Sequence, residues 1–413
     1  MVTKMDMKNI FSMALGINDP WFISDVRFDA KQKRLDIDLD FTRGSKFEVA
    51  GVGSFGAYDT LQKSWRHLNF FEHECYLNAR VPRVKDEEGK LHTVLPGWSG
   101  LSNGFTLLFE SLIIQFAMYM PVHNIAELLK VSDRKIWAML DKYIDSTLKL
   151  NDYSNVTTIG MDETSIAKGH DYLTLFVDLI NRRTIHIAEG KSNATVVSFK
   201  QDFELHGGEA KNITDVSCDM SPAFIKGVND NLPNAQITFD KFHVLKIINE
   251  AVDKVRRAEV ADNPVLTGLR YIFLKNETNL TAKQKLKKQE ISGLGLKSWR
   301  AMLIRECFQD IYKSNVAEEF ENLLKKWYYW ATHSRLEPIK QAAKMVKSHW
   351  DGIVRWKDSQ INNGILEGLN SILQAAKRKA RGYKFKHFKT IAFLITGKLN
   401  FNRVNNNLPT RFA

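Results

Sequence analysis

Cysteine is the scarcest signal in this chain: Cys75, Cys218 and Cys307 are the only three among 413 residues. An odd, scattered set frames no disulfide scaffold and fits a reducing compartment. The paired C-x-x-C spacing of a zinc site is absent too. His67, His73, Cys75 and His92 therefore read as structural or exposed side chains, and no structural zinc is expected. A long apolar run is also lacking. The greasiest stretch, residues 105–120, carries Glu110 and Gln115 and is too short to span a bilayer, so no membrane partner is expected. The first residues, from Met1 to Asp6, lack the apolar segment of a signal peptide. These absences point to a soluble, cytoplasmic protein.

Positive charge is what the chain has in excess. Lys+Arg number 59 against 47 Asp+Glu, a formal net charge of +12, with a pI near 9.3. A basic balance spread over this length suggests a polyanionic partner, nucleic acid first. The length itself suggests two or three domains, and an apolar share of 44% is ample for a sizeable core.

The central stretch runs over residues 156–164 and 171–180. Both halves are rich in β-branched and aromatic residues, and Lys168, Gly169 and His170 between them are turn chemistry, so the pair reads as a hairpin. Asn181, Arg182 and Arg183 turn the chain into a third strand over 184–188. In the first strand Ile159 and Met161 alternate with Gly160 and Asp162, which sets a carboxylate in a segment otherwise destined for a core. An ionised Asp there is costly unless a cation or a hydrogen-bond partner compensates. A metal ion is one compensation; a strand-end Asp capping a turn is the alternative.

Before this hairpin lie two regions. Residues 1–98 form a small β module, with strands at 47–50, 75–81 and 92–95. Residues 99–150 are helical. Phe105, Leu108, Phe109, Leu112, Ile113 and Phe116 recur at helical spacing up to Pro121. A short helix then faces Ile125, Leu128 and Leu129 inward, Val131 lies in a tight turn, and Ser132 caps a second helix with a core side of Ile136, Met139, Leu140 and Tyr143. That layout is a helix-turn-helix whose outward Asp133, Arg134, Lys135, Trp137 and Lys142 include cations for DNA phosphates.

After the hairpin the chain alternates: a helix over 193–206, a strand over 213–220 ending at Asp219, a helix begun by Ser221 and Pro222, a strand over 235–240, and a helix over 241–257. The order β-β-β-α-β-α-β-α is that of a ribonuclease-H-like core, an α/β fold, in which Asp162 and Asp219 lie side by side. Converging carboxylates repel unless divalent cations bridge them. Asp178 and Asp240 also sit at strand ends, as rivals farther from the centre. Residues 258–358 are entirely helical, an insertion whose Trp327 and Trp330 read as packing and whose run Lys283 to Lys288 reads as a solvated face. The segment 359–413 holds the final helix and a basic C-terminal tail. In that segment Glu367 precedes the cations Lys377, Arg378, Lys379 and Arg381, acid for a metal site followed by a phosphate track.

These motifs together resemble the bacterial insertion-sequence transposases of the ISL-three type, which carry an Asp-Asp-Glu triad. The resemblance is strongest at Gly160 to Thr164, Cys218 to Phe224, Phe239 to Val244, and Leu366 to Ser371 with Lys377 to Gly382. It implies that Asp162, Asp219 and Glu367 are both the catalytic residues and the ligands of two Mg2+ ions about 3.5–4 Å apart, with Mn2+ as a substitute. It implies magnesium-dependent cleavage at the ends of an insertion element and strand transfer into target DNA, by a homodimer assembled on DNA. Arg134, Lys135, Lys377, Arg378, Lys379 and Arg381 would grip phosphates. The chain departs from the family at residues 1–98, which resemble a zinc-binding domain without its cysteines. Two alternatives share the core: a nuclease that cuts without joining, and a DNA-binding regulator.

Overall fold

The structure, a computed structural model, describes residues 7–102, 104–165, 172–314, 316–359, 361, 364–379 and 382–404, with the side chain of Lys379 left aside. The protein is mixed α/β, with two mixed sheets and many helices. It divides into two compact units. One comprises Met1–Asn151 with Leu373–Ala413, the other Asp152–Ile372. Among the described residues no helix is long and apolar enough to cross a membrane.

The first unit opens with α1 (Met7–Leu15) and a sheet of β1 (Trp21–Asp29), β2 (Arg34–Phe41), β3 (Lys46–Val49), β4 (Gly53–Phe70), β5 (His73–Lys85) and β6 (Leu91–Thr93). The strand order is β1-β2-β5-β4-β3, with β6 on β5. The sheet is larger than the three short strands expected. In β2, Leu35, Ile37, Leu39 and Phe41 alternate with Asp36, Asp38 and Asp40, so one face is buried and the other acidic. Arg34 and Arg80 pair with Asp36 and Asp40 on that polar face.

Three helices follow: α2 (Leu107–Tyr119), α3 (Val122–Leu129) and α4 (Asp133–Leu148). Glu110 of α2 is fully buried and accepts from the backbone N–H groups of Leu101 and Ser102 and from the Tyr143 hydroxyl at 2.7–2.8 Å. A buried carboxylate survives here because donors surround it. Between α3 and α4 the chain reverses at Lys130, in the left-handed conformation (φ 54°, ψ 45°). Ser132 stands at the N-cap of α4 with extended backbone but makes no side-chain capping bond. Two side chains sit opposite to expectation: Leu128 is exposed, and Trp137 is buried. The Trp137 ring stacks on His387 at 3.9 Å and meets Tyr383 edge-on. The missing signal was a partner from the far end of the chain.

The second unit is built on β7 (Thr158–Ser165), β8 (Tyr172–Asp178), β9 (Arg183–Glu189), α5 (Asn193–Leu205), β10 (Asp215–Cys218), α6 (Pro222–Asn231), β11 (Gln236–Phe239) and α7 (Lys241–Glu259). This is the element order read from the sequence; the turn at 168–170 lies outside the described residues. The sheet order is β11-β10-β7-β8-β9. β7, β8 and β9 are antiparallel neighbours, while β10 runs parallel to both β7 and β11. Six helices then occupy the stretch expected to be helical: α8 (Arg270–Leu274), α9 (Ala282–Ile291), α10 (Lys297–Ile311), α11 (Ala317–Thr332), α12 (Glu337–Ser348) and α13 (Trp350–Ser359). Their apolar faces share one core with the sheet, including Val216, Phe239, Ile304, Phe308 and Trp327. The Trp327 indole N–H donates to the Ile304 carbonyl at 2.9 Å, so this Trp is packing, as expected.

Last come α14 (Gly364–Lys379), within which the boundary between the units falls, and α15 (Phe385–Thr396). The final helix was expected from about residue 359. It begins at Gly364, and what was read as a basic tail holds a second helix. α15 belongs to the first unit, where it packs on α2 and α4. There Thr390 and Lys386 both reach Asp141, each at 2.7 Å.

Candidate active site

The parallel pairings of the second unit fix where its carboxylates stand. Ser217 of β10 lies opposite Gly160 of β7 on one side and Thr238 of β11 on the other. Side chains repeat on one face every second residue. Two positions further along, the same register sets Asp162, Asp219 and Asp240 in a row. Neighbouring strands lie about 4.8 Å apart, so these carboxylates crowd one edge of the sheet. Asp240 was expected farther from the centre than Asp162 and Asp219. It is one strand farther than Asp219, yet its charge acts on both Asp162 and Glu367.

Each member of the row is held differently. Asp162 is largely buried on β7, and its carboxyl is pushed up to about 6, first by burial and then by the charges of Asp240 and Asp219; the Glu163 backbone N–H and His243 oppose this. The Asn370 carboxamide donates to Asp162, while its oxygen accepts from Thr164 at 3.2 Å. Asp219, just past β10, accepts from the Ser221 N–H at 2.9 Å at the start of α6. Asp240 is buried and caps α7 by accepting from the Phe242 N–H at 2.8 Å. His243 Nδ1 lies 3.3 Å from the Asp240 carboxylate, too misaligned for a hydrogen bond but close enough for an ion pair. The Asp240 carboxylate raises the imidazole's basicity, and Asp162 and Asp219 add to it.

Glu367 arrives from α14. Its helix docks through Leu366, which joins Val177 and Leu179 in a small buried cluster. Gly160 makes room for this: a Cβ there would lie 2.9 Å from both Leu366 and Leu179. Glu367 itself is exposed in the first turn of α14, and its carboxyl is raised by partial desolvation and by Asp240. The groups whose charge it feels are Asp240 and His243. Asn370, one turn on, shares its face of the helix. So the fold gathers Asp162, Asp219, Asp240 and His243, and Glu367 comes near enough to feel the charges of Asp240 and His243. Glu163 sits half-buried beside Asp219 and Asp162, its carboxyl also raised.

His243 and Asn370 were the residues sequence reasoning missed, and Asp240 was named only as a rival. The signals were in hand: Asp240 and His243 are three apart across a strand-to-helix junction, and Asn370 is three residues after Glu367. Asp178, the other rival, is a satisfied turn cap. It accepts from the N–H groups of Ile180 and Asn181 and pairs with Arg183 at 3.3 Å.

The oxygen-rich donor set suits a hard divalent cation better than zinc. Among the described residues no three His, Cys, Asp or Glu side chains are drawn closely enough together to hold an ion as they stand. The buried, disfavoured charge of Asp162 is nonetheless what a cation would relieve. In the first unit, burial pushes the Cys75 thiol up to about 12, which leaves it a poor metal ligand.

The phosphate-gripping candidates fall in the first unit. Arg134 and Lys135 are exposed on the first turn of α4. Arg378 is exposed and Lys377 half-buried near the end of α14, where Lys379 is the last residue; Arg381 lies outside the described residues.

Comparison with known proteins gives the same direction. A family model described as a transposase, of the ISL-three DDE type, matches residues 159–392. The transposase for insertion sequence element IS1557 of Mycobacterium tuberculosis is 27% identical over 352 residues, covering 78% of each chain. The transposase for insertion sequence element IS1001 of Bordetella parapertussis is 24% identical over 350 residues, covering 83% of this chain and 86% of that one.

Proposed function

The chain belongs to the ISL-three family of transposases, and on that premise we propose that its second unit is a ribonuclease-H-like core that cuts and rejoins DNA at the ends of an insertion element. The observation that carries this reading is the register. It carries Asp162 on β7 and Asp219 just past β10 to neighbouring places, while Leu366 packs the helix of Glu367 over Gly160. Asp162, Asp219 and Glu367 are the catalytic residues and would hold two magnesium ions, or manganese in their place. When bound, the metal supplies a lowered pKa for an attacking water or DNA 3′-hydroxyl and neutralises charge on the leaving oxygen.

The chain's own groups prepare that chemistry. Asn370 fixes one oxygen of the Asp162 carboxylate through its donated hydrogen bond, and the Glu163 backbone N–H fixes the other at 2.7 Å, so the group is oriented before any ligand arrives. His243 is made more basic by Asp240, and in its protonated form it damps the repulsion among the carboxylates. In the first unit α3, the Lys130 turn and α4 serve as a helix-turn-helix. Arg134 and Lys135 there would contact phosphates at the element ends, and Lys377, Arg378, Lys379 and Arg381 would position further phosphates. Two copies of the chain would assemble on the DNA, one at each element end.

The test uses duplex DNA bearing the inverted repeats that flank the reading frame. Glu367→Gln keeps shape and removes charge, so cutting and joining in magnesium should fall by orders of magnitude while end binding survives. Arg134→Ala with Lys135→Ala should do the converse, weakening end binding and flattening its salt dependence. Wild-type cutting by Glu367→Gln would sink the triad and turn attention to Asp240 or Glu163. Cutting by the wild type without joining would leave a nuclease.

A further inference from the structure

A cleft of the second unit, about 1380 Å³, has no part in the reading above. It runs between α7, α8 and α10, and it starts at Lys241 and Phe242, immediately after Asp240 of the carboxylate row. Lysine and arginine outnumber Asp and Glu among its lining residues, eight to five. Along α7 the lining follows one face, through Leu245, Asn249 and Asp253 to Arg256 and Arg257.

At the far end stands a built group of charges. Asp253 is buried, and three guanidinium groups converge on it. Arg256, also buried, donates two hydrogen bonds at 2.8 and 3.0 Å, while Arg257 and Arg270 each approach to 3.5 Å. Three cations on one carboxylate leave a surplus of positive charge. The exposed forks of Arg257 and Arg270 are aimed and pre-ordered by a partner that cannot neutralise them. Such an arrangement suits an oxyanion, and phosphate above others.

The rest of the cleft suits a strand carrying bases. Phe242 is an exposed aromatic ring at the catalytic end, where a base can stack. Lys246 is exposed on the wall. The Asn249 side-chain oxygen is buried and, among the described residues, has no hydrogen-bond partner; it offers an acceptor to a base edge. From Lys241 to Arg257 the helix rises about 24 Å at 1.5 Å per residue. Stacking on Phe242 and an edge contact to Asn249 are open to unpaired bases and not to bases stacked inside a duplex.

We propose that this cleft holds an unpaired DNA strand leading away from the carboxylate row, with Arg257 and Arg270, ordered by Asp253 and Arg256, gripping one or two of its phosphates. At about 3.4 Å per nucleotide the track takes roughly seven nucleotides. The inference rests on the DNA-cutting reading of the same unit, but its test does not depend on catalysis.

Full-length protein in EDTA is titrated against a fluorescein-labelled ten-nucleotide oligothymidylate, and anisotropy is read across a salt series. Arg257→Ala with Arg270→Ala should weaken binding about tenfold or more. The log–log salt slope should become shallower by about 1.4, at about 0.7 for each single-strand phosphate that is no longer neutralised. Binding of duplex element ends should change less than about twofold. Arg257→Lys with Arg270→Lys keeps charge, so it should restore the slope while recovering only part of the affinity. This pair also decides the matter if the alanine variant fails to fold. Equal binding by wild type and both variants would overturn the proposal, as would displacement of the oligothymidylate by polyglutamate at equal charge. The two readings fail separately. Arginine-dependent strand binding without divalent-dependent cutting leaves the cleft standing and removes the enzyme. Cutting with arginine-independent strand binding does the reverse.

Discussion

Asp162 sits where an ionised carboxylate is least comfortable, on a central strand with two further Asp residues beside it. Its carboxyl is raised to about 6 against an ordinary 3.8, chiefly by burial. A carboxyl whose folded value is raised is favoured by folding while protonated. The fold therefore bears no penalty below about pH 4. The penalty grows from pH 4 to 6 and is full above that, at roughly 2–3 kcal/mol. Asp162→Asn should then raise the thermal midpoint of EDTA-treated protein at pH 8, and the gain should vanish near pH 4. Scanning calorimetry at the two values decides it; an equal effect at both would show that the carboxylate is not disfavoured by its surroundings. On the proposed reading, that instability is accepted for chemistry. The same scale explains why Asn370 matters: one carboxamide ties Asp162 to Thr164, an arrangement invisible until a helix and a strand 200 residues apart are brought together.

At the scale of elements, Gly160 governs how α14 meets the sheet. A methyl group there would press on the tips of Leu366 and Leu179, both buried, so the helix must lift. Gly160→Ala should cost about 1–2 kcal/mol of stability. Its effect on cutting should be larger, up to about a hundredfold, because a displacement near 1 Å at Glu367 is enough to spoil catalysis. Leu366→Val beside it should restore much of the activity; no rescue would mean that Gly160 acts otherwise. The strands and helices of the second unit were legible in the sequence because each has one dominant period and sits between turn signals. Ile159 and Met161 on β7, and Pro222 at the first turn of α6, are examples. The first unit was less legible. β2 alternates plainly, Leu35-Asp36-Ile37-Asp38-Leu39, yet it is not among the strands expected at 47–50, 75–81 and 92–95. Trp137 looked outward because its covering ring, His387, comes from a helix at the other end of the chain. Within the site, Asp162, Asp219 and Glu367 were singled out from the sequence; Asp240 was undervalued because its neighbourhood depends on parallel register, which no local pattern reveals.

For the whole molecule, the chain path has a consequence that residue order hides. The second unit is continuous, Asp152–Ile372, whereas the first is made from both ends of the chain. α15 closes it. Phe388, Ile391, Ala392, Phe393 and Leu394 are all buried, and the helix packs on α2 and α4. Four of those side chains are large. At about 1.5–3 kcal/mol each, their burial amounts to roughly 6–12 kcal/mol. That is comparable with the whole stability of a typical domain, about 5–15 kcal/mol. A chain ended at residue 384 keeps every strand of the second unit and loses only what would pass for a basic tail. It should nonetheless lose the cooperative melting of the first unit and, with it, binding of element ends, since α3 and α4 lose their support. The second unit should survive as a protease-resistant fragment, because among the described residues its core clusters end before residue 373. Calorimetry of the truncated chain shows two transitions reduced to one if α15 is structural. Two transitions and wild-type end affinity in the truncated protein would mean that the last helix is dispensable and that the first unit folds from its N-terminal part alone.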